Sequence, residues 1–344
     1  MKHNLLLLIG ILAIIFPMNL HAQEEKIDRM PKISGFVQGL YQANLNKDGQ
    51  LKDGDDASTL RMRRVRVSIE GKLTKTLSYK IQGDFSRSPM MVDAFVKYKP
   101  CKEFAIQVGQ FKTPFSIESP INPVNLEIFD YGESVQKLVG YSDVCGLKSL
   151  GRDIGVMASG DLIQLEGKDF ALINYSIGVF NGSGVNTTDK NNRKDIVGRL
   201  NIHPMLKDLT LSASYYNGQY DVNDTTLGAR NRWSAGAQYN DGNLVVRAEY
   251  LSGLTNNMES QGYYAVAGYN FKLGKEGSQK LMPVLRYEHF AKDVTVDNGG
   301  TTYYTVGLNY WPVKSLNFKL DYSLIQPDKG DNSHRIVGIL SFKF

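Results

Sequence analysis

The sequence predicts an all-β protein, a 16-stranded antiparallel transmembrane β-barrel with an inward-folded constriction loop. Three observations carry that expectation. Apolar residues fall on every second position in segment after segment, the connections alternate between short and long, and the alternation runs to the last residue, Phe344. Side chains of a strand point alternately to its two faces, so each such segment has one greasy face and one polar face. Composition agrees: 33 Gly, 19 Tyr and 15 Phe in a chain of negative mean hydropathy suit strands with aromatic decoration rather than helices.

The first 22 residues are set apart. Lys2, the apolar run from Leu5 to Phe16 and the small residue Ala22 have the order of a secretory signal peptide cut after Ala22, leaving residues 23–344 as the mature barrel domain. A membrane-anchoring helix is the alternative, but the run is short and no stop-transfer charge follows it. The formal net charge of +5, one less without Lys2, is too small to argue for a nucleic-acid partner. Cys101 falls in a turn and Cys145 in a long loop, so no disulfide is expected.

The strands follow in order. Residues 33–44 make the first. The second lies in "LRMRRVRVSIEG", Leu60 to Gly71, where Val65, Val67 and Ile69 alternate with Arg64, Arg66, Ser68 and Glu70. The same beat then places strands over 77–85, 92–98, 104–108, 154–158, 171–179, 196–202, 209–215, 233–239, 244–250, 263–271, 281–287, 304–310, 316–324 and 336–344. That makes an even number, as a closed bacterial barrel requires. Short connections such as 72–75, 241–242 and 312–313 look like tight turns, whereas 45–59, 182–192, 219–228 and 325–333 are long and polar. Short turns at one rim and long loops at the other are the outer-membrane arrangement, with the polar faces lining a water-filled bore. A soluble β-sandwich is the competing fold. Against it stand aromatic residues near strand ends, such as Tyr98, Tyr215, Trp233, Tyr250 and Tyr322, and a last strand placed to close on the first.

One connection breaks the beat. Residues 112–151, "KTPFSIESPINPVNLEIFDYGESVQKLVGYSDVCGLKSLG", carry Phe115, Ile117, Ile121, Val124, Leu126, Ile128, Phe129, Leu138 and Val139, too much apolar surface for water. The segment is therefore expected to fold against the inner wall and narrow the bore. The alternative is an external cap or a subunit contact.

"LRMRRVRVSIEGKL", "GQFKTPFSIE" at Gly109 to Glu118, and "GRDIGVMASG" after the long loop together resemble the phosphate-selective porin O/P family. The resemblance implies a trimeric outer-membrane porin with an inward-folded loop and basic lumen residues that attract anions. By motif position Arg63, Arg64 and Arg66 match the family's arginine-rich strand, and Lys112 matches its strand-to-loop lysine.

Read from the residues alone, the bore is a mixed wall. Inward parity holds Arg64, Arg66, Lys80, Lys97, Arg199, Arg232, Arg247, Lys272, Arg286, Lys319 and Arg335 against Glu70, Asp84, Asp93, Asp153, Asp195, Glu249, Glu288 and Asp321. Selectivity then rests on the sign at the narrowest point, where low-dielectric walls concentrate the field. The candidate anion-binding residues are Arg63, Arg64, Arg66, Lys80, Lys97, Lys112, Lys137, Lys148 and Arg199. For Arg64 and Arg66 the alternative is pairing along the wall with Glu70, Asp84 or Asp93. Arg61 and Arg63 have the lipid parity, where a charge costs roughly 2–4 kcal/mol at mid-bilayer, and need headgroups or a bulge to take them.

HExxH, GxSxG and zinc spacings are absent from the sequence, so no enzyme, metal or cofactor is expected. The acidic stretch Asp53 to Asp56 lacks a full calcium-loop spacing. The expected partners are small anionic solutes such as phosphate, outer-membrane lipid and lipopolysaccharide, and two further copies of the chain in a homotrimer. A plugged barrel serving as an adhesion or scaffold protein is the competing function.

Overall fold

The computed structural model describes residues 29–344 apart from 55–56, 190, 205 and 224–225, and apart from the side chain of 276. The expected cleavage after Ala22 lies outside the described residues. So does half of the acidic stretch at 53–56.

The described residues form eighteen strand segments: β1 (Lys32–Leu45), β2 (Ser58–Lys72), β3 (Leu77–Asp84), β4 (Met91–Tyr98), β5 (Ala105–Lys112), β6 (Arg152–Gln164), β7 (Ala171–Phe180), β8 (Asp195–Ile202), β9 (Leu209–Asn217), β10 (Gln219–Asn223), β11 (Thr226–Asn240), β12 (Leu244–Thr255), β13 (Met258–Tyr269), β14 (Phe271–Leu273), β15 (Gln279–Ala291), β16 (Gly300–Val313), β17 (Leu316–Pro327) and β18 (Ser333–Lys343). Segments β9 and β10, separated at Gly218, both pair with β11 and form one stave. Segments β13 and β14, separated at Asn270, both pair with β15. The result is a closed 16-stranded antiparallel barrel. Each stave pairs with its sequence neighbours, and β1 also pairs with β18 from Phe36↔Lys343 to Leu45↔His334. The last residue extends the seam: Gly35 N–H donates to the Phe344 carbonyl at 2.9 Å and Phe344 N–H to the Gly35 carbonyl at 3.0 Å. A Cβ at Gly35 would lie 2.4 Å from the Phe344 ring, so only glycine lets the terminal phenyl close over it. Closure leaves no strand edge, and hydrocarbon tolerates none.

The two faces are sorted the reverse of a soluble sheet. Outward positions hold Leu285, Leu320, Val306 and Ile177, each half exposed or more, whereas Arg232, Arg247, Glu249, Lys319 and Asp321 are buried inside. Putting arginine on the outer face at Leu285, which is 63% exposed, is expected to cost about 2–4 kcal/mol. Reversible denaturant unfolding in lipid vesicles measures it, and an unshifted midpoint would mean that this face does not meet lipid.

The two-residue beat fails at bulges. Val92 has outward parity in the sequence but is fully buried, because the β3–β4 register shifts between Gln82 and Gly83. A second shift lies between β1 and β2: Gln38 pairs with Arg64 and the next residue, Gly39, with Met62. Arg63 is the extra residue.

Residues 113–151 run inside the barrel, with a 3₁₀ turn at Pro123–Asn125 and a helix, α1 (Glu133–Val139). Phe115, Leu126, Ile128, Tyr131, Val135, Leu138 and Val139 join one buried cluster with Val197, Leu251, Val266, Val284 and Phe290 of the wall. Phe129 joins a second with Leu40, Val337 and Ile339. These wall residues are apolar on the lumen parity, and that is where the loop docks. Ahead of α1, Gly132 sits so close to the wall that a Cβ would fall 1.8 Å from an Arg286 nitrogen.

Candidate functional site

The bulge at Arg63 builds the site. Without it, the side chains of Arg63 and Arg64 would point to opposite faces. With it, both guanidinium groups reach one carboxylate of the inner loop: Arg64 meets Asp130 Oδ1 at 2.9 Å, and Arg63 bonds to Oδ2. Parity is inverted beyond the bulge, so Leu60 and Met62 are exposed on the outer face and Arg61, paired with the buried, inward-facing Leu40, turns to the lumen. The three arginines thereby avoid the bilayer.

Arg61, Arg63 and Arg64 line a cavity of about 620 Å³ together with Arg87, Lys148, Ser86, Gln136 and Tyr141. Its lining carries five cationic side chains and one acid, Asp130. It lies at the long-loop rim, since Arg87 belongs to the 85–90 connection and Lys148 to the end of the inner loop. Burial acts to raise the Asp130 carboxyl, but Arg63 and Arg64 hold it down at about 2. It is thus a carboxylate at any ordinary pH. Arg66, one step down β2, pairs with Asp84 at 3.0 Å, and Arg87 meets the same carboxylate at 3.2 Å.

The other candidate residues lie elsewhere. Lys80 pairs with Glu70 at 2.6 Å. Lys97 stands on β4 toward the short-turn rim. Lys112, at the root of the loop, donates to the Tyr131 hydroxyl at 2.9 Å and to the carbonyls of Ile121 at 3.2 Å and Ser119, so it braces the loop. Lys137 pairs within α1 with Glu133 at 3.4 Å. Arg199, across the barrel on β8, donates to the Ser116 carbonyl at 3.1 Å. The wall pairing considered for Arg64 and Arg66 is present for Arg66, whereas Arg64 takes its carboxylate from the loop.

The far wall is occupied by the loop. Glu118 lies between Arg247 at 3.1 Å and Arg286 at 2.5 Å, and Glu127 meets Arg247 at 2.6 Å. Asp143 takes Arg230 at 2.9 Å and Arg232 at 3.2 Å. Phe129 N–H donates to Asp321 at 2.7 Å, and the Lys319 ammonium bonds to the Leu126 carbonyl. The acids of the loop are therefore mostly spent on docking it. A second cavity, of about 380 Å³, opens at the short-turn rim with Lys280, Lys314 and Lys343 against Glu127.

Arg61, Arg87 and Arg230 do not figure among the residues expected from the sequence. Arg61 needs the bulge, Arg87 sits in a connection without parity, and Arg230 falls in a stave that begins at Thr226, earlier than the beat shows. Among the described residues no group of His, Cys, Asp and Glu could hold a metal ion. Cys101 and Cys145 are free thiols.

A family model, phosphate-selective porin O and P, matches residues 33–243. The chain belongs to that family. The porin is an outer-membrane protein that forms a channel for passive diffusion. No curated protein matches it. Among solved structures, it is similar to an anion-selective porin from Comamonas acidovorans, with 13% identity, TM-score 0.64, and 92% of this chain and 99% of that one covered. It is similar also to the outer membrane channel DcaP of Acinetobacter baumannii, with 14% identity, TM-score 0.60, and 91% and 97% covered. The trimer form of OmpT from Vibrio cholerae matches with 12% identity, TM-score 0.57, and 92% and 99% covered. At such identities these likenesses show the fold alone.

Proposed function

We propose that the porin passes small anions, phosphate among them, in preference to cations. One observation carries this reading: five cationic side chains against one acid in the cavity at the long-loop rim. A field of one sign in a cleft with low-dielectric walls raises the local concentration of counter-ions and repels co-ions. The family description and the anion-selective porin of Comamonas acidovorans point the same way. The inner loop acts as the constriction, and Arg63, Arg64 and Lys148, joined by Arg61 and Arg87, set the sign above it. Residues 1–22 direct export and are removed, the outer face meets lipid and lipopolysaccharide, and the barrel works as a homotrimer, as the trimer form of OmpT suggests.

Arg63→Ala with Arg64→Ala is expected to lower anion over cation permeability by on the order of tenfold, since two charges near a partly desolvated path contribute about 1–2 kcal/mol after screening. Reversal potentials in a salt gradient across planar bilayers give the ratio. A double variant with the wild-type reversal potential would remove the arginines from selectivity.

A further inference from the structure

The Asp130 carboxylate shows what the Arg63–Arg64 pair is shaped to hold. Each of its oxygens is taken by a different guanidinium. Two adjacent residues converge on one planar group only because the bulge turns both inward. Paired, fork-like donors of this kind match groups that offer two oxygens, whereas a spherical halide uses neither the spacing nor the plane. The pair also reaches Gln38 Oε1, to which Arg64 donates at 3.2 Å, while among the described residues the buried Nε atoms of Arg63 and Arg64 have no hydrogen-bond partner. The cavity lies directly against it.

Asp130 itself is held in place by its neighbour. Phe129 is pinned through its N–H to Asp321 at 2.7 Å, and the Arg63 and Arg335 guanidinium groups lie 5.5 and 4.6 Å from its ring centroid. The carboxylate is therefore presented to the pair at high effective concentration. A solute anion must displace it, and its apparent affinity falls by the fraction of time the pair is free.

We propose that Asp130 is a tethered competitor at the Arg63–Arg64 pair, displaced by a solute anion that offers two oxygens, a carboxylate or a phosphate. The proposal rests on the reading that the channel passes anions, phosphate among them, and adds this device to it. The device serves transport: conduction needs a site that attracts the ion and also releases it. Asp130 supplies the release.

The experiment is inhibition of chloride current in planar bilayers by inorganic phosphate, acetate or bromide, for wild type, Asp130→Asn and Asp130→Glu. With D130N, half-inhibition by phosphate and by acetate is expected at concentrations on the order of tenfold lower, as for a competitor that fills the pair about nine-tenths of the time. Bromide should be unmoved, and D130E should restore wild-type behaviour. A larger shift for phosphate than for acetate would support the same site with phosphate as its preferred ligand. Unchanged phosphate and acetate values, an equal shift for bromide, or a D130E indistinguishable from D130N would overturn the proposal. If D130N fails to give a heat-modifiable barrel on gels, Asp130→Ser takes its place with the same expectations. The wild-type reversal potential, read before any inhibitor is added, tests anion preference separately. A cation-selective wild type would therefore refute the functional reading, whereas an anion-selective wild type with an unresponsive D130N refutes only the competitor.

Discussion

Deleting Ile121 to Leu147 raises the conductance severalfold and moves the anion-to-cation ratio toward that of free solution. The deleted stretch contains the 3₁₀ turn, α1 and most of the loop residues packed against β8, β12, β13 and β15. It also carries Glu127, Asp130 and Asp143, the partners of Arg247, Arg63, Arg64, Arg230 and Arg232. Removing it widens the aqueous section and frees those arginines into water, where their field is screened within about 8–10 Å. Conductance rises with area, and focusing weakens. Single-channel recording of the deletion beside wild type decides between the two readings of the barrel. A porin conducts before the deletion and more after it, whereas a plugged scaffold is silent until the loop is gone. An unaltered conductance would mean that the loop does not lie in the current path.

Glu118→Ala destabilises the docked loop by about 3 kcal/mol. Breaking a buried ion pair by removing one partner costs about 3–5 kcal/mol, because the other charge is left without compensation. The lower end applies here, since Arg247 keeps Glu127 at 2.6 Å and Arg286 keeps Glu288 at 3.3 Å. Glu118 also accepts from the Gly132 N–H at 3.1 Å, so its loss loosens the entry to α1. Burial acts to raise the Glu118 carboxyl, but Arg286 and Arg247 outweigh it and hold the group below the usual carboxylate range. Its folded pKa lies under its unfolded one. The stabilisation is therefore complete above about pH 5 and is lost as pH falls through the folded value. Protease cleavage after Lys137 and Lys148, together with open-channel current noise at pH 7, reports the loosening. A variant as resistant and as quiet as wild type would show that the packing of Phe115, Leu126 and Leu138 holds the loop without this carboxylate.

The inward fold of the loop is legible in its own apolar content, which water would not accept. Its docking surface leaves a fainter trace: Val197, Val266, Val284, Val337 and Ile339 are apolar on a parity that is otherwise polar. Such residues have no reason to face a bore unless something covers them. Which acid meets which arginine has no trace at all, because Asp130 and Arg64 or Glu118 and Arg286 are far apart in sequence and come together only when the wall is closed.

By itself the sequence determined the number of staves, the parity that turns ions inward and apolar side chains outward, the closure at Phe344 and the fate of the long segment. These follow from local periodicity and from solvents that reward it. The tertiary structure alone decided where the free positive charge stands. A bulge is a mismatch between two strands and belongs to neither sequence, so Arg61 and Arg63 could be assigned to the bore only once β1 lay beside β2. Neutralisation is likewise a matter of distance in space: the loop cancels the arginines of the far wall and leaves an excess of charge around Arg63 and Arg64.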